Sequence, residues 1–222
     1  MDEKLLFEII TTFCELPSGP RDAFRVPYDD GEGNICATDG TLIIAVPKSL
    51  MPKKGSFPAR PELAPSKITF ASSDKFDIPI KDLFKRLKRH LETENCPECK
   101  GKGKVTWVYF CNEGHDSYDR KDDCPVCGGT GKLNSNPHSI VPGADRPVSS
   151  LAAFRIKHGG TRALFFAQRL AIVANAANML GETELHVVGF SETGCMKVAL
   201  PEGIFAGVMP CVNQVPVECI DL

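Results

Sequence analysis

No stretch of the 222 residues approaches the roughly 18 uninterrupted apolar positions that a spanning helix needs, so a membrane-spanning chain is disfavoured. The N-terminus carries Asp2 and Glu3 where a secretory signal would place positive charge, which predicts a cytoplasmic protein. A basic excess is also missing: 26 Lys and Arg against 28 Asp and Glu leave −2, which excludes a uniformly cationic nucleic-acid coat but not local patches. Catalytic signatures are absent as well. There is no Gly-x-Ser-x-Gly elbow, Walker glycine loop or His-Glu-x-x-His pair, and Gly31-Glu32-Gly33 lacks the third glycine of a dinucleotide site. The five histidines are dispersed, with no evident carboxylate or thiolate partner. Asp39 near Cys36 is a tempting dyad, yet Asp before Gly40 is what a tight turn demands. With 42% apolar side chains, the chain still has enough for one sizeable core, or a core plus a small module. These exclusions favour a non-enzymatic protein.

What the sequence has in quantity is cysteine, ten residues at 14, 36, 96, 99, 111, 124, 127, 195, 211 and 219. In a reducing compartment metal is the better use for them than disulfides. Six are scattered among mostly apolar neighbours and read as small core fillers. The other four form two pairs inside one template written twice, Cys-Pro-Glu-Cys-Lys-Gly-Lys-Gly-Lys-Val (96 to 105) and Cys-Pro-Val-Cys-Gly-Gly-Thr-Gly-Lys-Leu (124 to 133). A CxxC turn presents two thiolates on one side of a knuckle, and two knuckles complete a closed tetrahedral site for one structural Zn2+ through Cys96, Cys99, Cys124 and Cys127. Such a site has no free position with which to activate water. Glycines 101, 103, 129 and 131 let the chain turn sharply after each second thiolate.

The 24 residues between Cys99 and Cys124 exceed a simple ribbon, so something is looped out. Thr106-Trp107-Val108-Tyr109-Phe110 is β-branched and aromatic, and Asn112 to Asp123 is polar, which predicts a hairpin with a solvated tip. Cys111 and His115 fall in this loop as alternate ligands, or as structural or exposed residues.

The repeated CxxCxGxG resembles the cysteine-rich zinc domain of the DnaJ co-chaperones. The resemblance covers residues 94 to 135, with two repeats where that family usually has four, and no His-Pro-Asp tripeptide occurs. It implies a zinc fold and, more weakly, a chaperone-like module that binds polypeptides.

The two flanks, residues 1–92 and 136–222, look alike and together predict one discontinuous α+β domain interrupted by an inserted module over 93–135. In the first, Leu6, Ile9, Ile10 and Phe13 recur at helical spacing, followed by strand candidates Ala23 to Pro27, Asn34 to Thr38 and Thr41 to Val46. In the second, Leu170, Val173, Ala177 and Leu180 make a stripe ended by Gly181, followed by Glu184 to Phe190, Met196 to Leu200 and Ile204 to Val208. This reads as a duplicated helix-plus-three-strand unit. A strand before the second helix is expected at either Ala152 to Lys157 or Thr161 to Phe165, and antiparallel pairing of the units would give a sheet backed by two helices.

On Ala37-Thr38-Asp39-Gly40, Arg169 to Gly181 and Gly203 through Val208-Met209-Pro210, the domain resembles one domain of the DNA sliding clamps, such as the bacterial polymerase III beta subunit. That resemblance implies a ring around DNA, which for a chain this short requires a homo-oligomer. The two helices depart from the family, because clamp helices facing DNA are rich in Lys and Arg whereas Asp2 to Cys14 has one lysine and Gln168 to Leu180 only Arg169.

Five prolines between 47 and 66 predict an extended surface connection. Beyond it Ile80, Leu83, Phe84, Leu87 and Leu91 share a helical face, with Asp77 and Pro79 as start signals and Lys81, Lys85, Arg86, Lys88, Arg89 and His90 on the rest. Residues 81 to 104 carry a net +4 within a chain of −2. Lys85, Arg86, Lys88, Arg89 and Lys102 are therefore candidate phosphate contacts for DNA or RNA, and Trp107 and Tyr109 could stack on a flexible strand. The alternative is a solvated helix face and an aromatic hairpin packed on its own knuckle.

Overall fold

The computed structural model describes residues 2–16, 21–51, 57–70, 75–91, 95–110, 117–132, 136–211 and 218–221. Helix α1 (Glu3–Thr11) starts where the Asp2 carboxylate accepts the Lys4 N–H at 3.0 Å, satisfying one of the free donors of the first turn. Its buried residues are Leu6, Ile9 and Ile10, with Phe13 just beyond. Strands β1 (Tyr28–Asp29), β2 (Asn34–Thr38) and β3 (Leu42–Pro47) follow as an antiparallel meander.

The expected strand over Ala23 to Pro27 is a correction. Asp22–Phe24 is a turn of 3₁₀-helix closed by an Arg25–Asp22 ion pair at 2.6 Å, and pairing begins at Tyr28, after Pro27, which has no N–H for a ladder. The proline-rich connection makes three short 3₁₀ turns, Lys48–Leu50, Pro61–Leu63 and Pro65–Lys67. It is more than a surface strap, because Ala64 and Pro65 are buried and the Leu63 carbonyl accepts the Tyr28 hydroxyl at 3.0 Å.

Strand β4 (Phe76–Pro79) leads directly into helix α2 (Ile80–Leu87). Asp77 therefore lies in a strand and does not cap the helix, which has no side-chain cap. Strands β5 (Lys104–Phe110) and β6 (Ser117–Asp123) pair as a hairpin. Both candidates for the later strand are strands: β7 (Ala152–His158) and β8 (Thr161–Phe166) form a hairpin turned at Gly159-Gly160.

Helix α3 (Ala167–Met179) ends at Gly181, whose φ of +87° closes the left-handed cap with Glu182 N–H bonded to the Ala177 carbonyl. Strands β9 (Glu184–Gly189), β10 (Met196–Ala199) and β11 (Phe205–Val208) then form a second meander, and β12 (Glu218–Asp221) lies parallel to β7.

A seven-stranded sheet runs in the order β1-β2-β3-β11-β10-β9-β4. The third strands of the two meanders meet at its centre, antiparallel, with Leu42 opposite Val208 and Ala45 opposite Phe205. Strand alternation puts Leu185, Val187, Met196 and Val198 inward and leaves Glu184, His186 and Lys197 on the other face. Helix α3 is buried nearly all round, because it packs on β9 and β11 of the large sheet, on β7 and β8 of the small one, and on α1 and α2. The one-sided stripe expected from sequence is thus too narrow, and α3 is a central core helix. One apolar cluster contains α1, α2, α3 and the inward faces of the strands, while Cys96, Cys99, Cys124 and Cys127 form a separate cluster with Val105. Among the described residues no helix is long and apolar enough to cross a membrane.

Candidate metal centre and basic surface

The four paired cysteines come together and are buried, and their sulfurs all lie within 4.8 Å of one another. The two repeats face each other with reciprocal bonds. Cys96 N–H donates to the Gly131 carbonyl and Cys124 N–H to the Gly103 carbonyl, both at 2.8 Å. Gly103 N–H points at Cys99 Sγ and Gly131 N–H at Cys127 Sγ, both at 3.2 Å. Those N–H donors stabilise thiolate charge on the second sulfur of each pair.

The spacing fits an ion. Cys96 and Cys124 sulfurs are 3.8 Å apart and those of Cys99 and Cys127 3.7 Å. Four thiolates at about 2.3 Å from a central metal have tetrahedral edges of about 3.8 Å. The cluster can therefore hold a metal ion. Burial pushes the Cys96 thiol up to about 11, whereas for Cys127 burial is outweighed by the Gly131 N–H and the neighbouring thiols, which draw it down to about 7.

The glycines of the template are there for two reasons. Gly101, Gly103, Gly129 and Gly131 have φ of +83°, +71°, +85° and +75°. A methyl group at Gly103 would also press into the Gly129 carbonyl, and one at Gly131 into the Gly101 carbonyl. Lys100, with φ +51°, holds the left-handed position that Gly128 fills in the second repeat.

On the hairpin Trp107 and Val108 are 46% and 50% exposed, so these two side chains are not packed away on the knuckle. Trp107 stands opposite Arg120, which is paired to Asp122 at 3.0 Å. Cys111 and His115 lie outside the described residues. Helix α2 buries Ile80, Leu83, Phe84 and Leu87 and exposes Lys81, Lys85 and Arg86, while Lys88 and Arg89 are exposed on the turn that follows and Leu91, expected on the helix, bridges to Val148 instead. Lys102 is exposed on the first knuckle, separate from the helix. Arg169 is half-buried instead, stacked on Phe166 at 4.6 Å and bonded to the Met209 carbonyl.

Other sequence candidates resolve plainly. Asp39 Oδ1 accepts the N–H groups of Thr41 and Leu42, both at 2.7 Å, which is a turn and not a dyad with Cys36. Cys14, Cys36 and Cys195 are buried thiols, pushed up by burial, as core fillers should be. An open cavity of about 510 Å³ lies against the sheet's outer face, lined by Tyr28, Leu42, Ile43, Leu63, Ile68 and Met209 among others.

One expectation fails. His186 does have carboxylate partners, Asp77 at 2.8 Å and Glu182 at 3.3 Å, with Glu184 alongside. Glu184 and His186, two apart on an expected strand, were the legible half of that signal; Asp77, on a strand the sequence did not announce, was not.

No family model matches the chain, and no curated protein matches it. Solved structures similar to it include polymerase III beta of Caulobacter crescentus, at 12% identity and a TM-score of 0.46, covering 97% of this chain and 65% of that one. A sliding clamp of Bartonella birtlesii bound to griselimycin gives 12% and 0.46, covering 96% and 64%. The Helicobacter pylori beta clamp bound to a DNA ligase peptide gives 11% and 0.41, covering 94% and 63%. The chain spans less than two thirds of the length of each of these clamps.

Proposed function

We propose that the chain is a non-enzymatic zinc-containing binding protein that serves as an accessory factor in nucleic-acid transactions such as replication or repair. In this reading a duplicated, clamp-like α+β domain (1–92 and 136–222) carries an inserted module (93–135). Cys96, Cys99, Cys124 and Cys127 hold one structural Zn2+, for which an all-sulfur tetrahedron is suited. The bound ion would lock the two knuckles face to face and has no open position for chemistry.

The observation that carries the reading is the exposed cationic face of α2. Apolar anchors on one side hold the helix to the core, so Lys85 and Arg86 are presented to solvent from a rigid element and Lys88 and Arg89 from the turn at its C-terminal end. On the inserted module, exposed Lys102 would add a phosphate contact and exposed Trp107 a stacking platform.

Fluorescence anisotropy of labelled single- and double-stranded DNA tests it, with zinc-loaded protein at several salt concentrations. Log affinity should fall with log salt, and neutralising Lys85, Arg86, Lys88 and Arg89 together should reduce the slope by up to about 3.6 units, at roughly 0.7 to 0.9 per phosphate contact. No binding at low salt, or a slope unchanged by the fourfold variant, would discard the proposal. A second reading, a chaperone-like module that recruits protein, is favoured by the exposure of Trp107 and Val108. It predicts binding of an unfolded polypeptide that Trp107→Ala weakens and the fourfold helix variant does not.

A further inference from the structure

We propose that Asp77, Glu184 and His186 form a second metal site, for a divalent transition-metal ion held by one imidazole nitrogen and two carboxylates. Asp77 stands on edge strand β4 directly opposite His186 on β9, and Glu184 precedes His186 by two residues, so all three leave the same face of the sheet. Their ligand atoms lie within 4.8 Å of one another. The backbone beneath is fixed, because the alternate residues Ile78, Leu185 and Val187 are buried in the core. Ligands on paired strands with such anchorage keep their geometry better than ligands on loops.

The imidazole geometry supplies the second argument. Nδ1 of His186 faces Asp77 Oδ1 at 2.8 Å while Nε2 faces Glu182 Oε2 at 3.3 Å. A neutral imidazole has a single N–H, so it satisfies one of these carboxylates and turns a lone pair on the other. The second contact then needs either another proton or a metal ion. Glu182, on the opposite ring nitrogen from Asp77, is placed to accept the Nε2 proton. That leaves the Nδ1 lone pair aimed at Asp77, with a Glu184 oxygen in the same cluster, the arrangement in which an outer carboxylate orients a metal-binding histidine.

An ion about 2.1 Å from both Nδ1 and Oδ1 separates them by about 3.4 Å in a tetrahedral set, so the Asp77 oxygen must retreat by roughly 0.6 Å. With 55% of its side chain exposed, Asp77 has room for that rotation. One nitrogen and two oxygens suit Zn2+, Co2+ or Mn2+, in contrast to the all-sulfur cluster. Three protein donors also leave a position for water, so this ion would exchange where the one among the cysteines would not.

The test is calorimetric titration of the full chain with Zn2+ after the four-cysteine cluster has been loaded and free metal removed. The expected result is a further equivalent that His186→Gln and Asp77→Asn each weaken at least about tenfold, with Glu182→Gln weakening it by about 10- to 100-fold. Cys96→Ser should abolish the tight equivalent and keep this one, so failure of one site is distinguishable from failure of the other. Unfolding midpoints equal to wild type verify that each variant is folded, and Glu184→Gln replaces any that is not. Absence of a second equivalent in the wild-type protein, or one that His186→Gln leaves unchanged, overturns the proposal.

Discussion

Gly103 and Gly128 both hold left-handed backbone, at φ +71° and +58°, yet alanine should affect them very differently. At either position the side chain costs about 1 to 2 kcal/mol of backbone strain. At Gly128 nothing lies within 4 Å of the new methyl, so the cost stops there. At Gly103 the methyl meets the carbonyl of Gly129, which is main chain of the opposite knuckle and cannot swing aside like a side-chain tip. That knuckle is fixed by the Gly129 N–H on the Cys124 carbonyl, and Gly103 N–H itself points at Cys99 Sγ. Overpacking of this kind adds about 1 to 3 kcal/mol. If metal binding and closure of the knuckles are one event, the difference is read as affinity, at tenfold per 1.4 kcal/mol. Gly103→Ala should thus bind zinc about 5- to 140-fold more weakly than Gly128→Ala in competition with a chelator. Emission of Trp107, the chain's single tryptophan, follows the hairpin in the same titration. Equal losses in the two variants would refute the facing-knuckle geometry.

Cys96→Ser should lose the tightly bound zinc and the protection of the hairpin from proteolysis while leaving the buried apolar core intact; retention of full zinc by mass spectrometry would show that the ligand set is wrong. Leu170→Ala, at a fully buried position in the middle of α3, should destabilise the protein by about 2 to 5 kcal/mol in urea unfolding, and a loss under 1 kcal/mol would contradict its central placement. Asp30 is fully buried and, although burial opposes it, the Asn34 side chain and the N–H groups of Asn34 and Glu32 hold its carboxyl below the usual range. A depressed carboxyl contributes stability above its unfolded value, near 3.9, and that contribution is lost as pH falls through the folded value. Asp30→Asn should therefore flatten the acid limb of stability against pH and cost about 1 to 3 kcal/mol at neutral pH through the lost acceptor; an acid limb identical to wild type would refute this.

The legible parts of the fold are those whose signal is local. The second meander and the last two strands of the first were readable because apolar runs and Asp-Gly or Pro-Glu-Gly turns lie within a few residues of each other, although β2 and β3 are buried nearly throughout and only β9 and β10 alternate. The knuckles were readable for the same reason, since spacing within ten residues fixes which sulfurs and glycines share a turn. What escaped reading depends on partners distant in sequence. Strand β4 is four residues long and exists because β9, more than a hundred positions later, offers it an edge. The all-round burial of α3 is invisible in a helical period, because the second sheet that covers its other side is assembled from β7, β8 and the distant β12. The Asp77–His186 pair joins both failures, an unannounced strand and a long-range register.

Placement of the three helices bears on where a nucleic acid could lie. α3 is enclosed, and the exposed residues of α1 include Glu3, Lys4, Phe7 and Glu8, a face with more acid than base. A phosphate backbone is repelled there, and α3 offers it no lysine and a single arginine, Arg169, which is half-buried against Phe166. The third helix has the opposite character, and its C-terminal turn adds to the contrast. Helix C-termini carry partial negative charge, so the cluster Lys85, Arg86, Lys88 and Arg89 is stabilised at that end of α2 even without a ligand. This local term explains part of the cluster structurally, but a few cations suffice to neutralise a helix end. It does not account for Lys100, Lys102 and Lys104 on the first knuckle, where Lys104 pairs with Asp123 at 2.6 Å and Lys100 holds left-handed backbone at φ +51°. Lys100→Gly should therefore relieve about 1 to 2 kcal/mol of backbone strain, and a knuckle no more stable than wild type in chelator competition would refute that.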